Sequence, residues 1–378
     1  MGSEAAPQNR YHFEGSEAVC SPALVVFREL LEHNIRTMVE TAGDVNRLRP
    51  HCKTHKMAAV TRMLLERGIT RHKCATFAEA EMLAQAGATD IFLGYNLVGP
   101  NITRAVAFME RFPAVSFAVT ADDGRSIGGL GEAVSAANRS IGVLLDIDPG
   151  RERTGVRVGR EARELYALID RTEGLRAEGL HLYDGHQRQR ELSDRIAAVD
   201  AEWLRVAAFR DELVEAGLPV PRIVCGGTPT FPVYAQMEDP AIELSPGTCI
   251  FHDAGYGEAF PDLNMFIPAA VIFTRVVSRP TANRVTFDVG TKAVASDPPM
   301  GQRAVFPDIP HATQVIHNEE HLVVETADAA HWAPGDATVV IPKHVCPSVA
   351  LHEDAVVVSN GRIVDRWLVT ARNRRISV

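Results

Sequence analysis

The sequence has 378 residues, 48 acidic against 39 basic, for a formal charge of −9, with 46% hydrophobic and 23% charged positions. That length fits two domains, or one barrel with an addition, and the composition is that of a globular chain with ample core. A mildly acidic chain without a basic block excludes electrostatic nucleic-acid binding, and no apolar run approaches the roughly 20 residues of a membrane helix. The first twenty residues lack an apolar signal core, so the expectation is a cytoplasmic protein with neither nucleic acid nor membrane as partner. Cys20, Cys52, Cys74, Cys225, Cys249 and Cys346 form no CxxC pair and read as free thiols.

In chain order, residues 11–13 show no helix of their own, and 27–43 place Leu31, Ile35, Met38 and Val39 on one helical face. Eight short strand candidates follow, at 50–53, 73–75, 91–93, 115–119, 141–147, 179–183, 223–225 and 242–244. Amphipathic segments at 57–68, 77–87, 102–112, 123–136 and 160–171 separate them, several ending at glycine, which enters the left-handed conformation without steric cost. This alternation predicts a (β/α)8 barrel, with an open doubly wound sheet as the alternative. Beyond residue 260 the pattern changes to successive β-like runs at 269–278, 284–289, 321–325, 337–341, 355–358 and 362–369. The last two flank Ser359-Asn360-Gly361, where Asn-Gly supplies the positive φ angles of a tight hairpin. The expected division is an N-terminal segment, 1–20, associated with the β domain, then a barrel, 21–258, and a C-terminal all-β domain, 259–378.

A parallel barrel carries its chemistry at the C-terminal ends of its strands. There the sequence places Arg49-Pro50-His51-Cys52-Lys53-Thr54-His55-Lys56, Tyr95-Asn96, Asp146 to Arg153, Tyr183-Asp184-Gly185-His186, Gly226-Gly227-Thr228 and Ser245-Pro246-Gly247-Thr248. Lys53 sits among cations that depress an amine's pKa, as a Schiff-base lysine requires; Lys56 competes with it, and a solvated basic loop is the plain alternative. Gly226-Gly227-Thr228 would let backbone N–H groups approach a phosphate at the start of a helix, or is simply a turn. Barrel, lysine and phosphate cup together point to a pyridoxal phosphate enzyme.

The run 49–56 resembles the RPHxKTHK motif of the D-threonine aldolase and D-serine dehydratase group, fold type III pyridoxal phosphate enzymes related to alanine racemase. The resemblance extends through Cys74-Ala75-Thr76, Arg153-Thr154-Gly155, Tyr183 to His186, Gly226 to Thr228, Ser245 to Thr248, Asn318 to His321 and His344-Val345-Cys346-Pro347. It implies pyridoxal 5'-phosphate carried on Lys53, with Arg153 by the ring, and Tyr183, Gly226, Gly227, Thr228, Ser245 and Gly247 holding the cofactor. It also implies a divalent metal, zinc or manganese with magnesium as a third option, on His344 and Cys346. Taken alone, that spacing is weak, and a half-buried His and Cys is the bland alternative; in a strand, residues i and i+2 would share a face.

The implied activity is lysis of a β-hydroxy-D-amino acid in a homodimer with its active site at the interface. D-Threonine aldolase action is the first expectation, and dehydration of D-serine or 3-hydroxyaspartate to a 2-oxo acid and ammonia the alternative. A racemase and a non-catalytic pyridoxal phosphate carrier rank lower. In the group a carboxylate often replaces Cys346 in the aldolases, while the dehydratases carry cysteine; the Tyr183–His186 neighbourhood and the Gly-Gly-Thr-Pro-Thr turn are closer to the aldolase branch. His51, His55, His72 and His252 are expected to be structural, and Lys292 and Asp297 to lie near the site.

Overall fold

The computed structural model describes residues 10–374 and 376–378; residues 1–9 of the expected N-terminal segment lie outside the described residues. The chain divides into two compact units, one of 39–53, 58–247 and 373–378, the other of 1–38, 54–57 and 248–372. The expected barrel, 21–258, therefore loses both ends to the second unit. The physical reason lies in the run Ala-Leu-Val-Val-Phe, which forms a strand, β1 (Ala23–Phe27), ahead of the helix Arg28–Ala42. Its β-branched and aromatic residues are buried on both faces, as a central strand requires.

The first unit holds seven parallel strands in spatial order: β2 (Arg71–Cys74), β3 (Asp90–Asn96), β4 (Ser116–Ala121), β5 (Ile141–Ile147), β6 (Leu175–Leu182), β7 (Ile223–Cys225) and β8 (Ile242–Leu244). Two helices on the intervening segments, Phe77–Gln85 and Gly124–Ala136, carry side-chain caps. Thr76 accepts from the Glu79 N–H (3.2 Å) while the Glu79 carboxylate takes the Ala75 N–H (2.7 Å), and Asp123 caps Gly124–Ala136. The eighth strand, expected at 50–53, is reduced to two isolated parallel bridges, Leu48↔Leu244 and His51↔Lys73. Pro50 explains the interruption, because it can only accept: its carbonyl takes the Lys73 N–H at 3.0 Å. The Arg49 and His51 N–H groups donate to Leu244 and Pro246, and that of Cys52 to Lys73, so the irregular segment still closes the ring between β8 and β2. Within it, Phe92, Ala118, Leu144 and Val224 form an apolar plug.

Arg49 is fully buried on this closing segment. Its guanidinium donates to Glu243 of β8 and to both oxygens of Asp90 of β3 (2.7 and 3.2 Å), and Arg71 reaches the same Glu243 at 3.2 Å. A buried cation is tolerable only when so paired, and removing it leaves Glu243 with Arg71 at 3.2 Å and Asp90 with Arg222 at 3.9 Å. Arg49→Met is therefore expected to destabilise the chain by about 3–5 kcal/mol, read as a lowered urea midpoint at unchanged slope.

The second unit is built on a mixed sheet. To β1 it adds β9 (Ala270–Thr281), β10 (Arg284–Phe287), β11 (Ala304–Val305), β12 (Thr313–His317), β13 (Leu322–Glu325), β14 (Ala337–Pro342), β15 (Asp354–Ser359) and β16 (Arg362–Leu368), ordered β12-β13-β10-β9-β1-β15-β16. β14 pairs with both β9 and β11. β1 is antiparallel to β9 and parallel to β15, and Tyr11 and Phe13 pack edge-on against Phe27. Asn360 (φ 50°) and Gly361 (φ 71°) make the expected hairpin turn between β15 and β16.

Candidate active site

In the barrel unit the focus is Tyr183, the first residue past β6. The Lys53 Nζ lies 5.5 Å from the centre of its ring, and the Arg153 guanidinium 4.9 Å from it. Two glycines make room for that ring: a β-carbon on Gly185 would meet it at 2.6 Å, and one on Gly227 at 3.3 Å. The backbone carrying Lys53 turns back on itself, its own N–H donating to His51 Nδ1 at 3.3 Å. Arg153 stands on a loop wound about Asp148, whose Oδ1 accepts from the N–H groups of Gly150, Arg151 and Glu152.

The loops after β6 and β7 are tied together from behind. The Gly227 N–H donates to Thr230 Oγ1 (3.0 Å), and that hydroxyl donates to the buried Asp184 carboxylate (2.9 Å). The Gly227 N–H is already engaged, and the helix that follows, Phe231–Ala235, has five residues. What remains is a loop in which Gly226 takes φ 75°, the buried Thr228 accepting from the Gly247 N–H (3.4 Å), and Ser245. The Ser245 N–H pairs with Cys225, and its buried Oγ has no hydrogen-bond partner among the described residues.

Sequence reasoning gave no role to three buried polar residues that meet here: Lys73, His181 and Asp146. It placed Asp184 at the mouth without a role and passed over Glu202. Burial pushes Asp184 up to about 6 and Glu202 up to about 7, the latter raised further by the Asp184 charge. Both folded values lie above the ordinary carboxylate value, so the folded state binds the extra protons, and stability falls as pH rises from about 4 through about 7. Glu202→Gln removes one of these charges. It should raise the melting temperature by roughly a few degrees at pH 8 and by less at pH 5, as followed by circular dichroism across that range.

In the other unit, His344 and Cys346 come together, but not on a strand. β14 ends at Pro342, His344 is the extended N-cap of the helix Val345–Leu351, and Cys346 lies in its first turn. Asp253 fixes that helix start by accepting the Val345 N–H at 3.0 Å. His344 Nδ1 is held by Asp297 Oδ2 at 2.6 Å. Cys346 Sγ also meets Thr54 Oγ1 (3.1 Å) and Thr248 Oγ1 (3.5 Å). Burial opposes both ionised forms. Hydrogen bonding to and the charge of the partner prevail, lifting His344 to about 9 and lowering the Cys346 thiol, with Thr54 and Thr248 assisting.

Among the described residues, His51, Cys52 and Glu79 are the one group of three with ligand atoms within 4.8 Å of one another. There the Glu79 carboxylate is occupied by the Ala75 N–H and the Cys52 thiol, as a helix cap. Lys292 stands in an exposed ion pair with Glu319 and Glu320. His72 and His252 are buried, and burial lowers both to about 4.

A curled parallel sheet whose mouth gathers a lysine, a tyrosine face and a bare-backbone loop, in one chain with a mixed sheet, defines an alanine racemase-like pyridoxal phosphate lyase. Comparison with known families matches residues 28–254 to the alanine racemase N-terminal domain and 269–358 to a serine dehydratase domain described as putative in its name. The chain belongs to this alanine racemase-like family, in the branch of the D-threonine aldolases and D-serine dehydratases. A D-threonine aldolase from Arthrobacter sp is 30% identical over 367 residues, 94% of this chain and 93% of that protein. The crystal structure of a D-threonine aldolase from Filomicrobium marinum superposes with a TM-score of 0.88 at 30% identity, covering 97% of this chain and 99% of that one. A D-threo-3-hydroxyaspartate dehydratase variant, solved in the metal-free form, shares the fold at a TM-score of 0.82 and 21% identity over 93% of this chain and 98% of that one. No described helix is long and apolar enough to cross a membrane.

Proposed function

We propose that this chain is a metal-assisted lyase of β-hydroxy-D-amino acids, acting as a D-threonine aldolase. The observation that carries the reading is the Lys53 amine over the Tyr183 ring, in a chain similar over 94% of its length to a D-threonine aldolase. The residues fit pyridoxal 5'-phosphate. Ser245 offers a buried hydroxyl with no partner among the described residues, and Tyr183 offers a ring face. In this reading Lys53 holds the cofactor and moves the proton at its Nζ. Tyr183 and Arg153 flank the ring, and Thr228, Ser245 and Gly247 complete the phosphate end. Bound pyridoxal phosphate supplies an electron sink for bond cleavage at the substrate α-carbon.

His344 and Cys346 fit a divalent ion. An imidazole whose Nδ1 is held by a carboxylate, beside a thiol already lowered toward thiolate, is a soft and pre-oriented ligand pair. Zinc or manganese is the proposed metal, and the ion supplies Lewis acidity. Asp297 orients His344, while Thr54 and Thr248 hold the sulfur. Cys346 is also the specific observation behind a second reading, dehydration, because the group's dehydratases carry cysteine at this position. We further place the protein in the cytosol, on six cysteines of which none is in a disulfide, and read it as a homodimer from its family.

Product analysis, cofactor absorbance and metal dependence test these assignments. Incubation with D-threonine should release glycine and acetaldehyde; 2-oxobutanoate and ammonia in their place would establish the dehydratase. Lys53→Ala should abolish the visible absorbance of the cofactor-loaded protein while Lys56→Ala keeps it. His344→Ala and Cys346→Ala should retain that absorbance and lose at least about 100-fold in turnover, and full wild-type activity in chelator-treated buffer would refute the metal assignment.

A further inference from the structure

Lys73 is an unusual residue to find inside a barrel. On β2 it pairs with Phe92, a member of the apolar plug, and its side chain is 4% exposed. The fold reserves space for it: a β-carbon on Gly94 would lie 2.8 Å from the Lys73 Cε. Its Nζ sits 5.8 Å from the ring centres of both Phe92 and Tyr183, the same Tyr183 that Lys53 approaches.

A chain of hydrogen bonds fixes its surroundings. Asp146 Oδ1 lies 2.6 Å from His181 Nδ1, and His181 Nε2 lies 2.7 Å from Lys73 Nζ. The Asp146 carboxylate accepts the Nδ1–H, which makes Nε2 the acceptor for a Lys73 N–H. His181 is held below its usual value first by burial and next by the Lys73 charge, with Asp146 opposing both. Burial and then the charge of Lys53 lower Lys73 itself to about 7. Asp146 and Cys225 favour its charged form and Arg153 opposes it, while Asp184 feels its charge across the site. Among the described residues, the Lys73 Nζ has His181 as its one hydrogen-bond partner.

We propose that Lys73 is a positioning residue for Lys53: a second amine, linked through His181 to Asp146, whose charge sets the protonation of the cofactor bound at Lys53. This rests on the reading of Lys53 as the cofactor lysine. When protonated, this amine puts a positive charge beside the same Tyr183 ring that Lys53 approaches. No bond to substrate is required of it; it acts through the field at Lys53.

The test is the pH titration of the visible absorbance of the cofactor-loaded protein, from about pH 6 to 9, in wild type and Lys73 variants. A like charge disfavours a protonated neighbour, so Lys73→Met should raise the midpoint by about one pH unit. Lys73→Arg, permanently charged, should lower it. Lys73→Gln keeps a donor toward His181 and should move it as Met does, which covers a Met variant that fails to fold. Midpoints that stay within roughly 0.2 unit of wild type, or that move in one direction for Met and Arg alike, overturn the proposal alone. A visible band that survives Lys53→Ala overturns the cofactor reading together with it.

Discussion

Much of the barrel unit depends on one buried cation. Arg49 has no access to water, and its guanidinium joins the closing segment to Glu243 of β8 and Asp90 of β3. The ladder hydrogen bonds there are few, because Pro50 cannot donate, so the ion pairs replace part of what a regular eighth strand would contribute. Four residues later stands Lys53. Arg49 thus anchors the segment that presents the lysine, and the conspicuous basic run contains one cation buried for the fold and another directed at Tyr183.

Around Tyr183 the design principle is removal of atoms. At Gly185 the ring occupies the space a side chain would need, and at Gly227 a β-carbon would press on it at 3.3 Å. Asp184 and Thr230 hold the two loops at that spacing from behind, at the cost of burying a carboxylate whose ionisation is thereby resisted. In the other unit the same logic appears in a different form. A short helix start brings His344 and Cys346 together, and Asp253 and Asp297 fix, respectively, the backbone and the imidazole.

The regular parts of the fold were legible in the sequence because period and punctuation agree there. β5, β7 and β8 fall at their expected residues, and Asn360-Gly361 turns the last hairpin. β1 was missed because its five apolar residues run straight into an amphipathic helix, so periodicity registered the helix alone. β11 and β12 are short, and β12 is largely exposed, so neither leaves a hydrophobic signature. At the site, residue types with a strong chemical signal stood out. Lys73, His181 and Asp146 did not, since they are 108 and 35 residues apart and become a chain only when β2, β5 and β6 face one interior. The strand geometry assumed for His344 and Cys346 was wrong because a proline-terminated strand followed by a short helix reads, locally, as more strand.

The placement of β1 bears on how this chain can be made. Residues 58–247 are contiguous and supply nearly all of the barrel unit, whereas β1 must wait for β9, about 245 residues later, and for β15, about 330 later. During synthesis Leu24 to Phe27 is therefore an apolar strand with two open edges for most of the time the polypeptide is growing. Until those partners exist the barrel strands have their neighbours and β1 does not, so the hazard of premature pairing falls on β1.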